Sequence, residues 1–109
     1  HAQPKVLSFP FMSKKGLEEL KQSGNTIGTR PITVFIKEGA DLKIEQVSLE
    51  RSLYSFTVDE REPGKRYEIQ VKPVPRKLTV GMNQDILRIR TNQKHYELFE
   101  IPIRLNMGR

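Results

Sequence analysis

The residues best suited to binding chemistry are basic and lie close together near the C-terminus. Arg88 and Arg90 are two residues apart in "ILRIRT", Lys94 follows them, and Arg104 lies in "FEIPIRL". Side chains two apart in a strand share one face, and pairing brings the faces of neighbouring strands side by side. Guanidinium and ammonium groups in this arrangement can bind an anionic partner. We therefore take these four residues, the basic ladder, as the candidate partner-binding face.

The basic ladder has a second interpretation that needs no partner. Glu97 and Glu100 belong to the same predicted hairpin, and Glu100 shares the outward parity of Arg104. Opposite charges across two strands stabilise a sheet without any ligand. Basic side chains also keep exposed strands from pairing with other chains. The ladder is therefore either a partner-binding face or the solvated face of a hairpin.

Residues for catalysis or metal binding are scarce. The chain has no cysteine, its glycines are dispersed, and beyond residue 1 its only histidine is His95, in a predicted turn. A catalytic triad needs a histidine held between a nucleophile and an acid, and a zinc site needs several nitrogen or sulfur ligands. "VDERE" (58–62) offers three acids, but Arg61, Lys65 and Arg66 would neutralise them. We therefore predict a protein that is not an enzyme, without catalytic residues, cofactor or metal.

Length and composition indicate one globular domain. The chain has 109 residues, 36% of them hydrophobic and 29% charged, which is within the range of folded domains. No apolar run approaches the roughly 20 residues that span a bilayer. The formal net charge of +6 favours anionic partners. A basic domain that binds nucleic acid or an acidic glycan is thus the alternative function.

Apolar residues alternate with polar ones through most of the chain, which predicts antiparallel strands with one buried face. Turn signals recur about every ten residues, as in an all-β sandwich or barrel. Proline has no backbone N–H to donate, so Pro102 predicts either that its strand lies at an edge of the sheet or that its backbone nitrogen faces outward. "PVPRK" (73–77) predicts a crossing between strands. The predicted strands contain the segments "KVLSFPFM", "RPITVFIK", "LKIEQVSL", "LYSFTV", "YEIQV", "ILRIRT" and "FEIPIRL".

One strand changes parity within its length. In "LKIEQVSL", Leu42 and Ile44 agree in parity, as do Val47 and Leu49, but the two pairs are out of step. A β-bulge near residues 45–46 would return both pairs to the core.

The N-terminal part has a weaker pattern. In "KVLSFPFM", Leu7, Phe9 and Phe11 are predicted to face inward, in a strand interrupted by Pro10. "KKGLEELKQSGN" predicts a loop with at most one helical turn. We therefore assign residues 1–30 to an N-terminal strand and irregular segment, and residues 31–109 to the core of the same domain.

The order of motifs in the second half resembles a group of bacterial immunoglobulin-like domains of unknown function. These domains are related to the abnormal-spindle/hydin and PapD-like sandwiches. The resemblance covers roughly residues 30–105, and it depends on the order and spacing of degenerate motifs. The motifs are "LKIEQVSLERSLYSFTV", "GKRYEIQVKPVP", "GMNQDILRIRTN" and "FEIPIRL".

The resemblance implies an immunoglobulin-like sandwich of about seven strands. It also implies an interaction or spacer module of a larger cell-envelope or secreted protein, with an extracytoplasmic location and another protein or neighbouring domain as partner. The family carries no known catalytic residues, so none is transferred. The segment from Lys14 to Arg30 and the strong basicity depart from the family pattern.

Overall fold

The computed structural model describes residues 2–23, 29–36, 41–93 and 98–108. Strands account for most of the described chain, with one α-helix and one 3₁₀ turn at Pro75–Lys77. The helix is α1 (Lys14–Ser23). The strands are β1 (Ala2–Gln3), β2 (Leu7–Ser8), β3 (Met12–Ser13), β4 (Arg30–Phe35), β5 (Ile44–Leu49), β6 (Tyr54–Glu62), β7 (Arg66–Pro73), β8 (Gly81–Thr91) and β9 (Leu98–Gly108).

The strands form two sheets packed face to face. One sheet has the order β1-β4-β7-β6, and the other has the order β2-β9-β8-β5, with β3 also paired to β9. Alternate residues of both sheets are buried and form one apolar core, in which Ile32, Ile69, Leu87 and Ile103 are fully inaccessible. The predicted all-β sandwich is therefore confirmed. Alternation did not predict that β2 and β3 run parallel to β9.

The predicted β-bulge is present in β5. Its register against β8 shifts between Ile44, opposite Thr91, and Gln46, opposite Arg90. Leu42 is buried, and Ile44, Val47 and Leu49 pack against the core. The extra residue thus restores both apolar pairs to the same side of the sheet.

Strand β8 begins earlier than the sequence predicts. The segment 79–85 has the composition of a turn, yet the strand starts at Gly81, whose φ is 100°. Asn83 and Asp85 lie on the buried side of the strand, each only 2% exposed. Polar residues at buried positions conceal a strand from a hydrophobic pattern. Hydrogen bonds to backbone groups instead satisfy both side chains.

The inward orientation predicted for the first strand holds only in part. Leu7 and Phe9 are buried, but Phe11 is 66% exposed. The prediction for Phe11 is wrong because the strand stops at Ser8 and pairing resumes only at Met12, so parity is not maintained across Pro10. The Phe11 ring instead covers Gly108, where an added Cβ would lie 2.5 Å from it.

The loop predicted for residues 14–25 is wrong over residues 14–23, because α1 contains these ten residues, or about three turns; residues 24–25 lie outside the described residues. The Ser13 hydroxyl accepts a hydrogen bond from the Gly16 amide at 3.0 Å. This side chain caps the helix N-terminus and satisfies one of its unpaired donors. The capping serine immediately precedes the two lysines that begin the helix, and the sequence pattern did not predict it as a cap. The helix contacts β3 and the 3₁₀ turn.

Pro102 lies where no strand of the described residues pairs with β9 on the side away from β8. Pairing of β9 with β2 begins only at Ile103, opposite Leu7. The Arg104 carbonyl accepts a hydrogen bond from Phe9, so by alternation the Pro102 nitrogen faces the same side. Its missing donor therefore falls just before β2 begins, which agrees with the expectation of an outward-facing or edge position.

Two tyrosines of the four-stranded sheet have raised pKa values. The Tyr67 hydroxyl donates to Glu60 Oε2 at 2.7 Å, and this hydrogen bond, together with burial, raises the pKa of Tyr67 to about 12. The Tyr54 hydroxyl donates to the Asn83 carbonyl at 2.7 Å. Burial, and then the charge of Asp85, raises the pKa of Tyr54 above its usual value.

We expect the free energy of unfolding to fall in alkaline solution because of these tyrosines. The folded chain holds both phenolic protons more tightly than the unfolded chain, whose tyrosines ionise near the usual pKa of about 10. Their stabilisation is complete below that pH and is lost as the pH rises from about 10 through 12. Urea unfolding at stepped pH should show a flatter decline for Tyr54→Phe and Tyr67→Phe. An unchanged decline in both variants would contradict this assignment.

Candidate partner-binding face

The three described members of the basic ladder, Arg88, Arg90 and Arg104, lie on the solvent side of the five-stranded sheet. We call this side the outer face. Its residues alternate with the buried core positions of β8 and β9, and each lies opposite a partner on the neighbouring strand. The opposed pairs are Gln84–Arg104, Ile86–Pro102, Arg88–Glu100 and Arg90–Leu98.

Arg88 is engaged by acids of the same sheet. Its Nη2 lies 3.3 Å from Glu50 Oε1, and its Nε lies 3.2 Å from Glu100 Oε2. Hydrogen bonds to Glu50 and, with a smaller effect, to Glu100 raise the pKa of Arg88 above its usual value. The cross-strand neutralisation that the sequence suggested for this face is therefore present at Arg88.

The other described members of the basic ladder are exposed and lie far apart. Within residues 2–23, 29–36, 41–93 and 98–108, neither Arg90 nor Arg104 forms an ion pair. Arg104 and Leu98, which lies opposite Arg90, are six residues apart on β9, a distance of about 20 Å along the strand. Lys94 lies outside the described residues. The sheet therefore places Arg90 and Arg104 at opposite ends of the outer face.

A further arginine, Arg51, lies on the same side of the cavity-forming strands as Arg104, and the sequence pattern did not indicate it. Arg51 follows β5, and its Nη1 donates to the Gln84 carbonyl at 3.2 Å. The register of β5 with β8 places Leu49 opposite Leu87, so residues 50–51 lie beside the start of β8. This neighbourhood could have been inferred only after β5 and β8 were known to pair.

Arg51 and Arg104 both line a shallow cavity on the outer face. Its volume is about 270 Å³. Half-buried Ile86 and Pro102 provide apolar surface directly opposite each other. Guanidinium groups beside an apolar floor can bind a group that combines a carboxylate with hydrocarbon. The remaining lining residues are Glu50, Gln84, Asp85 and Ile103.

Two of the three acids of "VDERE", Asp59 and Glu62, are paired with basic residues, and the third, Glu60, accepts a hydrogen bond from Tyr67. Arg61 contacts Glu68 at 3.2 Å and Asp59 at 3.9 Å, and Arg66 contacts Glu62 at 3.6 Å.

In the part of the chain that the structure describes, no three His, Cys, Asp or Glu residues are grouped as a metal site would require. Nor does any helix in that part have the length and apolar character to cross a membrane.

Comparison with known proteins adds no family assignment. The chain matches no protein-family model, and a search of curated proteins finds no significant relative.

Proposed function

We propose that this chain is a non-catalytic immunoglobulin-like interaction module that binds a partner protein through the outer face. One observation carries the proposal: Arg51, Arg90 and Arg104 are exposed and form no ion pair with another described residue. Exposed guanidinium groups beside apolar side chains are common at protein interfaces. The proposed partner surface is acidic, with apolar groups among its charges.

Apolar side chains lie between and beside these arginines. Leu98 and Met82 are each about half exposed, and Ile86 and Pro102 form the floor of the cavity. Burying such side chains contributes about 25 cal/mol per Å² of apolar surface. The charges would then orient the partner and accelerate association, while the apolar contacts contribute affinity.

We propose as a second function that the same arginines bind a polyanion. The net charge of +6 favours this function. The engagement of Arg88 by Glu50 and Glu100 weakens it, because both acids would repel phosphate or sulfate groups. The two functions differ in the steepness with which binding falls with salt.

A pair of charge reversals tests the outer face. Binding of a fluorescent decaglutamate peptide and of a DNA duplex is measured by anisotropy at several salt concentrations. We expect Arg90→Glu with Arg104→Glu to weaken peptide binding by about tenfold or more, because two attractive charges become repulsive. Arg88 is left unchanged, since reversing it would place three acids together.

The matched control makes the same change of charge away from the outer face. Lys72 and Arg76 are exposed and belong to β7 and the 3₁₀ turn. Lys72→Glu with Arg76→Glu should retain most of the peptide binding. Equal losses in both double variants would show that net charge alone matters. Tighter, steeply salt-dependent binding of the duplex would favour the polyanion function, and no binding of either probe would contradict both.

The cellular setting is also a proposal. The motif order of residues 30–105 and the sandwich architecture support a module of a larger bacterial envelope or secreted protein. Sequencing the gene in both directions from this segment tests it. A secretion signal upstream, with further β-rich domains alongside, is the expected result. A start codon immediately before the segment and a stop codon immediately after it would contradict it.

A further inference from the structure

The cavity between Arg51 and Arg104 has the size of a site for one residue. Its volume of about 270 Å³ lies just below the range of about 300–1,000 Å³ in which drug-sized ligands bind. The cavity lies over the Ile86–Pro102 pair, and Arg51 and Arg104 both line it. A small group with an apolar part and a charged part would fit this arrangement.

Arg51 is positioned before any ligand arrives. Its backbone amide donates to Asp85 Oδ1 at 2.8 Å, and its Nη1 donates to the Gln84 carbonyl at 3.2 Å. A guanidinium has five N–H donors, so this one contact leaves most of them available. A side chain that is already ordered loses less conformational entropy when it binds.

The acids that line the cavity are already engaged. Asp85 is only 2% exposed and accepts hydrogen bonds from three backbone amides. Glu50 lies 3.3 Å from Arg88. The charged groups of the cavity that remain available are therefore the guanidinium groups of Arg51 and Arg104, which donate hydrogen bonds and accept none.

We propose that this cavity binds the C-terminal residue of a partner polypeptide. The terminal carboxylate would accept hydrogen bonds from Arg51 and Arg104, and a branched apolar side chain would rest on Ile86 and Pro102. A C-terminal residue carries both groups on one Cα, whereas an internal Asp or Glu supplies only the carboxylate. This inference rests on the proposed function, because it names the chemistry that the outer face recognises.

Matched short peptides test the inference. One ends in leucine with a free carboxylate, the second is the same peptide amidated at the C-terminus, and the third is amidated with an internal glutamate. Binding is measured from amide chemical shifts of ¹⁵N-labelled protein. We expect the free acid to shift the signals of Arg51, Gln84 and Arg104 and to bind about tenfold more tightly than either amidated peptide. Equal binding of an amidated peptide, or no shifts at millimolar concentration, would overturn the inference.

Substitutions identify the groups that bind the carboxylate. Arg51→Gln and Arg104→Gln should each reduce affinity for the free acid by about tenfold and leave the amidated peptides unaffected. Lys72→Gln on the other sheet is the matched control and should change neither. Loss of free-acid binding in the control would overturn the inference. If the free acid fails but decaglutamate still binds the outer face, the inference fails and the proposed function survives; if both fail, both are wrong.

Discussion

Replacing Asp85 with alanine should lower the free energy of unfolding by about 3–5 kcal/mol. The Asp85 carboxylate accepts hydrogen bonds from the amides of Arg51 at 2.8 Å, Leu53 at 2.9 Å and Ile86 at 2.8 Å. It holds the turn between β5 and β6, where Ser52 adopts a positive φ of 58°. Without the carboxylate, these donors lose a charged acceptor, and each such hydrogen bond contributes about 1.5–3 kcal/mol.

Asp85→Asn removes the charge of this side chain and nearly preserves its shape. The amide has nearly the same volume, but its NH₂ group would have to face one of the donating backbone amides. We therefore expect a loss of about 2 kcal/mol, smaller than for alanine. Urea unfolding followed by far-UV circular dichroism measures both values. Hydrogen exchange at Arg51 and Leu53 should accelerate in both variants.

Asp59→Asn is the matched control for Asp85→Asn. Asp59 is exposed, and its contact with Arg61 is long, at 3.9 Å. Exposed ion pairs of this kind contribute at most about 1 kcal/mol, and many contribute nothing measurable. If Asp85→Asn lowers the free energy of unfolding no more than the control does, the buried carboxylate is dispensable.

Asn83→Asp should be the second severe substitution, with a loss of about 3–5 kcal/mol at neutral pH. Asn83 is buried, and its Nδ2 donates to the carbonyls of Thr79 at 2.8 Å and of Gly81 and Leu105 at 3.3 Å. Its Oδ1 accepts from the Thr79 amide at 2.9 Å. An aspartate would keep the acceptor but direct a second, negatively charged oxygen at three carbonyls.

The loss in Asn83→Asp should shrink in acid. A protonated carboxyl can donate to a carbonyl, so the folded chain favours the protonated form of this aspartate. The part of the penalty that comes from the negative charge is therefore absent below the usual carboxyl pKa of about 4 and grows as the pH rises above it. Asn106→Asp, at an exposed position of β9, is the control and should cost little at any pH. A loss that is independent of pH would contradict this explanation.

Asn83 and Asp85 show why part of the fold could not be predicted from the sequence. The two residues are nearly isosteric and occupy alternate positions of one strand, but one must donate to carbonyls and the other must only accept. Both residues have local partners, but each requirement also depends on residues 22 to 34 positions away: Leu105 for Asn83, and Leu53 and Arg51 for Asp85. A local pattern records only that two polar residues lie near a glycine, which is typical of a turn.

The candidate partner-binding face could likewise be predicted only in part. Alternation placed Arg88, Arg90 and Arg104 on one outward face, because side-chain direction in a strand has a period of two. It could not predict that Arg88 binds Glu50, 38 positions earlier, or that Arg51 lies beside Arg104. Those contacts depend on which strands are neighbours.

The sequence by itself determined the class of the fold, the bulge in β5 and the outward side of the basic residues. Each follows from the alternation of apolar and polar side chains, which acts over a few residues. Only the tertiary structure decided the parallel pairing of β2 and β3, the length of α1, and which arginines form no ion pair with another described residue. Those features depend on contacts between residues distant in the chain, where a buried hydrogen bond or an ion pair outweighs local preference.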